Sequence, residues 1–369
     1  MKLNQAELLR YARHFPVIGL EGQERLKQAS VVCVGAGGLG CPALQYLCAA
    51  GVGTVGIIDD DSIAISNLHR QILFTENDLG KPKVAVAKER LANQNPHIAI
   101  NAYHQRLSKQ NAETLLKAYD MVLDGCDNYR TRYLINDVCF LLKKPLVSAS
   151  IFQYQGQIGV FNYQQGPCYR CLYAEPPPPE LSPNCDTSGV LGVLPGIIGA
   201  MQAAEVIKLI VNKGQPLTHR LVQLDALTMR FKEYAVKKNP QCPLCQRGEL
   251  SGELFKKTEQ PEELVPAIDP QLLSAWLHDP TQRVRLIDVR EPYERSICDI
   301  GGDLMPSTRF NPAELHPDRK SPIVVYCKMG GRSESIAKLL KAQGHPDVFY
   351  LQGGILAWID QIDPSKNKY

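Results

Sequence analysis

The segment Ser30-Val-Val-Cys-Val-Gly-Ala-Gly-Gly-Leu-Gly-Cys-Pro-Ala-Leu44 runs from a short apolar stretch, through three glycines, into a helical pattern. Gly35, Gly37 and Gly40 stand at G-x-G-x-x-G spacing. Glycines there permit a tight turn and let a phosphate approach the backbone N–H groups at a helix start. Pro42 suits the first turn of that helix, where its missing N–H costs nothing. Asp59 ends the next predicted strand, 19 residues after Gly40, where a carboxylate can bond ribose hydroxyls. By itself the signature indicates a nucleotide or dinucleotide. A Walker loop is excluded, because Cys41-Pro42 stands where Lys-Ser/Thr would be.

Outward from this turn, short apolar runs at 30–35, 54–59, 121–124 and 145–148 predict strands covered on both faces. Helical stretches at 41–50, 83–93 and 129–143 alternate with them, which predicts parallel β-α-β units. A second, shorter alternation follows: strands at 284–289 and 322–326, then a helix at 333–343 stopped by Gly344. The fold class expected is α/β, with a Rossmann-like nucleotide-binding domain at 1–248 and a smaller α/β domain at 267–369. The polar, proline-containing stretch 249–266 reads as a linker. A chain of 369 residues, at about 150 per domain, agrees with such a division.

Lys+Arg 41 against Asp+Glu 38 gives a net charge of +3, too balanced for a chain whose main partner is nucleic acid or an anionic membrane. No apolar run is expected to approach the ~18–20 residues of a membrane-spanning helix. Residues 1–14 lack the basic-then-apolar order of a signal peptide. The expectation is a soluble, cytoplasmic protein.

Beyond Asp59 the charges favour ATP. Asp59-Asp60-Asp61 leads into Ser66-Asn67-Leu68-His69-Arg70-Gln71 and then Gly80-Lys81-Pro82-Lys83. A cationic pair such as Arg70 and Lys83 beside a glycine loop can neutralise a triphosphate and its departing pyrophosphate. Asp127, in Gly125-Cys126-Asp127-Asn128, follows a strand and so belongs to the carboxyl edge of the sheet, where a carboxylate can hold Mg²⁺. Arg10-Tyr11-Ala12-Arg13 adds cations ahead of the fold. Any one of these charges read alone is an exposed surface group. Their order and spacing together argue for a site.

With these stretches in hand, residues 1–248 resemble the MoeB/ThiF family, relatives of ubiquitin-activating enzymes. That family adenylates the C-terminal Gly-Gly of a small β-grasp carrier protein. The resemblance implies that Gly38, Asp59, Asp61, Ser66, Asn67, Arg70, Lys83 and Asn128 surround ATP and that Asp127 handles Mg²⁺. It also implies a homodimer in which Arg13 reaches the triphosphate of the neighbouring subunit. No protein nucleophile is needed for this step; positioning and charge neutralisation supply the rate.

Twelve cysteines sort by spacing. Cys168-Tyr-Arg-Cys171 and Cys242-Pro-Leu-Cys245 are two C-x-x-C pairs separated by 70 residues. Each pair offers two thiolates from one turn, and two such turns close a tetrahedral, structural Zn²⁺ site, one per chain. A redox C-x-x-C would need a thioredoxin-like βαβ context, which neither pair has. Cys33, Cys41, Cys48, Cys126, Cys139 and Cys298 read as buried small side chains. Cys185 lies in a proline-rich polar segment, where a spare exposed thiol and a reactive one are equal readings from the residues. The family resemblance favours a catalytic Cys185, as acceptor of the carrier acyl group or partner in a sulfur relay.

In the second block, Ser321-Pro-Ile-Val-Val-Tyr runs as a strand into Cys327-Lys-Met-Gly-Gly-Arg332, and a helical pattern follows at once. A thiol there meets oriented N–H groups, the positive end of a helix and Arg332, all favouring thiolate. The bland alternative is a buried cysteine at a strand end. With Ile287-Asp-Val-Arg-Glu291 and Leu351-Gln-Gly-Gly-Ile-Leu-Ala-Trp358, the block resembles a rhodanese domain. Four residues separate Cys327 from Arg332; the phosphatase loop of a related fold is one residue longer, sized for phosphate. Cys298-Asp-Ile-Gly301 departs from the His-Ile-x-Gly that rhodaneses often show.

Both blocks together resemble MoeZ-type adenylyltransferase/sulfurtransferases of molybdopterin or tRNA-thiolation pathways. The resemblance implies carrier adenylation followed by transfer of persulfide sulfur from Cys327, which gives the carrier thiocarboxylate and AMP. A cysteine desulfurase or thiosulfate would be the sulfur donor. Two other classes stay open at this point: a nicotinamide-dependent oxidoreductase, and a zinc-stabilised, non-catalytic carrier-docking protein.

Overall fold

The strand at Ser30–Val34 (β1) sits at the middle of an eight-stranded sheet in a computed structural model that describes residues 2–177, 189–249, 265–315 and 321–369. The chain divides into two compact units, Met1–Lys257 and Thr258–Tyr369. In the first, β1 is followed by β2 (Thr54–Ile58), β3 (Ala99–Tyr103), β4 (Met121–Asp124), β5 (Leu146–Phe152), β6 (Gln155–Phe161), β7 (Arg220–Asp225) and β8 (Arg230–Ala235). Their spatial order is β3-β2-β1-β4-β5-β6-β7-β8. Strands β1 to β5 pair in parallel, whereas β6 to β8 extend the sheet antiparallel.

The topology places a crevice. The chain leaves β1 towards β2 and β3, then returns to lay β4 on the other side of β1. In such sheets ligands bind outside the carboxyl ends of the strands at that reversal. The glycine turn after β1 and the Gly125–Asn128 segment after β4 therefore face one another there. Apolar residues of β1 such as Val31 and Val32 are fully buried, on opposite faces of the sheet. That explains why its sequence runs apolar without alternation.

Helix Val193–Val211 corrects one expectation. It is long and apolar enough to cross a membrane by length and composition. Half of its apolar window is buried, and it packs against helix Gly40–Ala50 and against β5 and β6. Gln202 and Glu205, both buried on it, are committed inside the unit: Gln202 Nε2 donates to the Asp124 carbonyl at 2.8 Å, and Glu205 accepts from Leu217 N at 2.9 Å. Core packing accounts for its apolar length.

The second unit is a five-stranded parallel sheet in the order β11-β10-β12-β13-β9. Its strands are β9 (Ala267–Ile268), β10 (Arg285–Asp288), β11 (Asp303–Leu304), β12 (Ile323–Tyr326) and β13 (Val348–Leu351). Strand β12 is central and fully buried, and it delivers the chain directly to Cys327. Helix Gly331–Ala342 follows, with Gly330 as its N-cap at φ +104°. Most of the stretch expected as a linker, 250–264, lies outside the described residues; Val265, within that expectation, packs in the core of the second unit.

Candidate functional site

Close backbone approach forces the glycines of the first site. Gly35 has φ +98°, and a Cβ on it would lie 2.7 Å from the Gly125 carbonyl oxygen. A Cβ on Gly40 would lie 2.0 Å from the oxygen of Gly35. A side chain at Gly35 would push the turn after β1 away from the turn after β4, and one at Gly40 would strike the backbone of its own turn. Between these turns opens a cleft of about 620 Å³. Gly38, Asp59, Asp61, Arg70, Lys83, Asp127 and Asn128, all expected from the sequence, line it. Ser66 and Asn67 stand beside it rather than on its wall: Ser66 offers its carbonyl to Arg70 Nη1 at 2.9 Å, and Asn67 Oδ1 accepts from Ala64 N at 3.3 Å. Arg13 is exposed in the turn between the first two helices, outside the cleft lining.

The electrostatics of the cleft are set by one buried lysine among acids. Lys83 Nζ lies 2.8 Å from Asp61, and its side chain is only 5% exposed. Burial would lower its pKa, but Asp59, Asp61 and Asp127 outweigh that and raise it, so the ammonium stays charged. Asp59 accepts from Ala36 N at 2.7 Å and Asp61 N at 2.8 Å, which ties the end of β2 to the glycine turn. Burial raises the Asp59 carboxyl despite Lys83 and these N–H groups. Asp127 is exposed to the cleft and, among the described residues, is met by Asn128 Nδ2 at 3.5 Å from its Oδ1, so its oxygens are placed to meet a cation. Arg70 Nη1 also lies 2.8 Å from His69 Nε2.

Two supporting residues are invisible as site residues in the sequence. Asp124, fully buried at the end of β4, accepts from Arg132 Nε at 3.0 Å, Ser148 Oγ at 2.7 Å and Cys126 N at 3.0 Å. Arg132 donates further to the carbonyls of Cys126 and Ala149, each at 2.9 Å. This buried pair fixes the backbone that presents Asp127. Arg132 reads in the sequence as one polar position of an ordinary helix. Gln71, also buried and on the cleft wall, has Oε1 without a hydrogen-bond partner among the described residues, one acceptor left for a bound group.

The two C-x-x-C pairs converge. All four thiols of Cys168, Cys171, Cys242 and Cys245 lie within 4.8 Å of one another. Sulfur separations are 3.8 Å for Cys168–Cys171, 3.5 Å for Cys168–Cys242 and 3.3 Å for Cys171–Cys245. An ideal tetrahedron with metal–sulfur bonds of about 2.3 Å has edges of about 3.8 Å, so the cluster fits a metal ion. The hydrogen bond from Cys168 pulls the Cys171 thiol down to about 5, the direction that readies it as a ligand. The six cysteines expected as core residues are all buried. Cys185 lies outside the described residues.

In the second unit, Cys327 is 2% exposed, and its sulfur accepts from Gly330 N at 3.1 Å and from Ser333 Oγ at 3.4 Å. The sequence marks the glycine turn but not Ser333, whose hydroxyl is fully buried behind the sulfur. The Leu351–Trp358 stretch has a physical role: Ile355 N donates to the Cys327 carbonyl at 2.8 Å, and a Cβ on Gly354 would strike that oxygen at 2.5 Å. Arg332 differs from the expectation of a guanidinium beside the thiol. Both its arms fork onto Glu294, at 2.6 and 2.7 Å. Its charge is neutralised by this partner, so among the described residues the Gly330 N–H and the Ser333 hydroxyl are the hydrogen-bonding contacts of the sulfur.

Comparison with known proteins assigns each unit to a family. The ThiF family matches residues 10–244, and the Rhodanese-like domain matches residues 269–361. The chain is 50% identical to a sulfur carrier protein adenylyltransferase of Thermus thermophilus, over 66% of this chain and 93% of that protein. It is 40% identical to the probable adenylyltransferase/sulfurtransferase MoeZ of Mycobacterium tuberculosis, over 100% of this chain and 96% of the relative. It is 38% identical to the adenylyltransferase and sulfurtransferase MOCS3 of Anopheles gambiae, over 99% of this chain and 89% of that one. Among solved structures, E. coli MccB crystallised with ATP matches with a TM-score of 0.57 at 23% identity, covering 64% of this chain and 74% of that one; this likeness speaks for the fold alone. The chain therefore belongs to the ThiF family and carries a Rhodanese-like domain after its nucleotide-binding unit.

Proposed function

We propose that this enzyme adenylates the C-terminal glycine of a small β-grasp sulfur-carrier protein and then converts it to a thiocarboxylate with sulfur carried on Cys327. The observation that carries the reading is the convergence of Arg70 and Lys83 on the glycine turn, in a chain that also presents the Cys327 thiol to the Gly330 N–H of a rhodanese loop. In the first step a carboxylate oxygen of the carrier attacks the α-phosphorus of ATP, the bond to the bridging oxygen breaks, and pyrophosphate leaves. Lys83 and Arg70 stabilise the charge that builds on the phosphates. Mg²⁺ held by Asp127 would add charge neutralisation.

In the second step the outer sulfur of a Cys327 persulfide attacks the acyl carbon and AMP departs, leaving an acyl disulfide on Cys327. A second thiolate, which we assign to Cys185, then attacks the Cys327 sulfur. The carrier thiocarboxylate leaves, and the resulting disulfide is returned to thiols by a cellular dithiol. Cys185 acting earlier, as acceptor of the carrier acyl group, is the other route open to the same residue. A cysteine desulfurase or thiosulfate reloads the persulfide. Arg13, exposed in the single chain, is suited to serve a neighbouring copy in a homodimer.

Carrier-dependent exchange of labelled pyrophosphate into ATP tests the first step. The proposal expects exchange only with a carrier ending in Gly-Gly. Exchange without carrier, or bound nicotinamide nucleotide in its place, would contradict it.

The four-cysteine cluster is assigned to zinc, held by Cys168, Cys171, Cys242 and Cys245 with no position left open for substrate. Zinc there would tie the end of the first unit to the segment around residue 168. Metal analysis after gentle purification should give one zinc per chain, and strong chelation should lower the melting temperature of the first unit. Clearly sub-stoichiometric zinc in a folded preparation would contradict the assignment.

A further inference from the structure

The phenol of Tyr369 is shared between two charged partners inside the rhodanese unit. Arg290 Nη1 donates to its oxygen at 3.0 Å, and the phenol donates to Glu294 Oε1 at 3.0 Å. Glu294 is the carboxylate onto which Arg332 forks. On the other side, the Lys328 ammonium stands 4.7 Å from the centre of the Tyr369 ring. Lys328 directly follows Cys327, and Arg332 closes the same loop. A single aromatic side chain therefore holds both shoulders of the sulfur-bearing loop, one through its ring and the other through Glu294.

The anchors behind it are rigid. Arg290, fully buried, forks onto Asp288 with contacts of 2.8 and 2.7 Å, and Asp288 also accepts from the Tyr326 hydroxyl at 2.9 Å. Tyr369 is thus pinned to the last residues of β10 and β12, the two strands beside the loop. Burial pushes the Glu294 carboxyl up, but Arg332 above all, with the Glu291 N–H and the Tyr369 hydroxyl, outweighs it and leaves the carboxyl below its ordinary range, so the acid stays ionised to receive the phenol.

We propose that Tyr369 is a positioning residue for sulfur transfer, fixing the loop that aims the outer sulfur of the Cys327 persulfide. The inference rests on the sulfur-transfer reading of this unit. A persulfide adds one rotatable bond to a thiol, so its outer sulfur amplifies any tilt of the loop. Misplacement of a reacting atom by about 1 Å can cost about a hundredfold in rate. The ring and the hydroxyl make different contributions: the ring meets Lys328 and, at 5.9 Å, the Arg290 guanidinium, whereas only the hydroxyl hydrogen-bonds to Arg290 and Glu294.

The test uses the full chain, with thiosulfate as donor and cyanide as acceptor, comparing Tyr369→Phe, Tyr369→Ala and Cys327→Ala. Tyr369→Ala should lower kcat about tenfold and Tyr369→Phe about threefold, with KM for thiosulfate changed by less than about twofold. Pyrophosphate exchange should be unchanged in both, and the assay temperature is kept below the melting transition of each variant. A Tyr369→Ala kcat equal to the parent, while Cys327→Ala is inactive, would overturn the positioning role. So would a loss that Phe does not partly rescue, or one that follows the unfolded fraction. Full activity in Cys327→Ala would remove the sulfur-transfer reading itself and this inference with it, a result distinct from the others.

Discussion

The Cys327→Ala chain is expected to keep carrier-dependent pyrophosphate exchange and to lose sulfur transfer altogether, while Asp127→Ala loses exchange and keeps transfer from thiosulfate to cyanide. The separation follows from where the groups sit. Asp127 and Lys83 belong to the cleft beside β1 and β4, and no cysteine is required when a carboxylate displaces pyrophosphate. Cys327 belongs to the loop after β12, where Gly330 N and Ser333 Oγ meet its sulfur. An alanine at 327 removes the only atom that can carry a persulfide in that loop, yet it creates no more than a small void, so the unit should still fold. Removing the Asp127 carboxylate takes away the group proposed to hold Mg²⁺ against the triphosphate and leaves Lys83 and Arg70 in place. If both activities fall together in either variant, the two sites do not divide the work in this way.

Arg132→Leu should be the most destabilising single change near the nucleotide cleft. It leaves the Asp124 carboxylate fully buried without its cation, and the carbonyls of Cys126 and Ala149 lose their donor. Breaking a buried pair from one side costs roughly 3–5 kcal/mol, a large share of the roughly 5–15 kcal/mol that holds an ordinary domain together. The double variant Asp124→Leu/Arg132→Leu should be milder, because no charge is stranded. Urea unfolding of the parent and the two variants measures the order. Pyrophosphate exchange measured well below the unfolding transition should be lost in both Arg132 variants, since the backbone presenting Asp127 is no longer fixed. A single variant as stable as the parent would show that Asp124 and Arg132 do not form the pair described.

The parts that were legible in the sequence are those where chemistry imposes spacing. Gly35 is dictated by backbone contact with the turn after β4 and Gly40 by the carbonyl of Gly35, and the two cysteine pairs share a spacing that brings four thiols within 4.8 Å of one another. The parallel strands β1, β4 and β12 are legible because burial on both faces requires uninterrupted apolar residues. The antiparallel extension was not legible: β8, Arg230–Ala235, is exposed along its whole length, so no hydrophobic face signals it. Helix Val193–Val211 was hidden because it is apolar on nearly every side and carries Pro195 and Gly196 in its first turn. Arg132, Ser333 and Glu294 support their sites from buried positions, and only the tertiary fold brings them to Asp124, Cys327 and Arg332.

The most direct measurement of the central claim is the intact mass of a Gly-Gly-ended carrier after incubation with the chain, ATP and a sulfane sulfur donor. The account predicts a carrier in which one terminal oxygen has been replaced by sulfur, formed only when ATP is present and Cys327 is intact. A carrier of unchanged mass under conditions where pyrophosphate exchange proceeds, or sulfur incorporation that persists without Cys327, would contradict it.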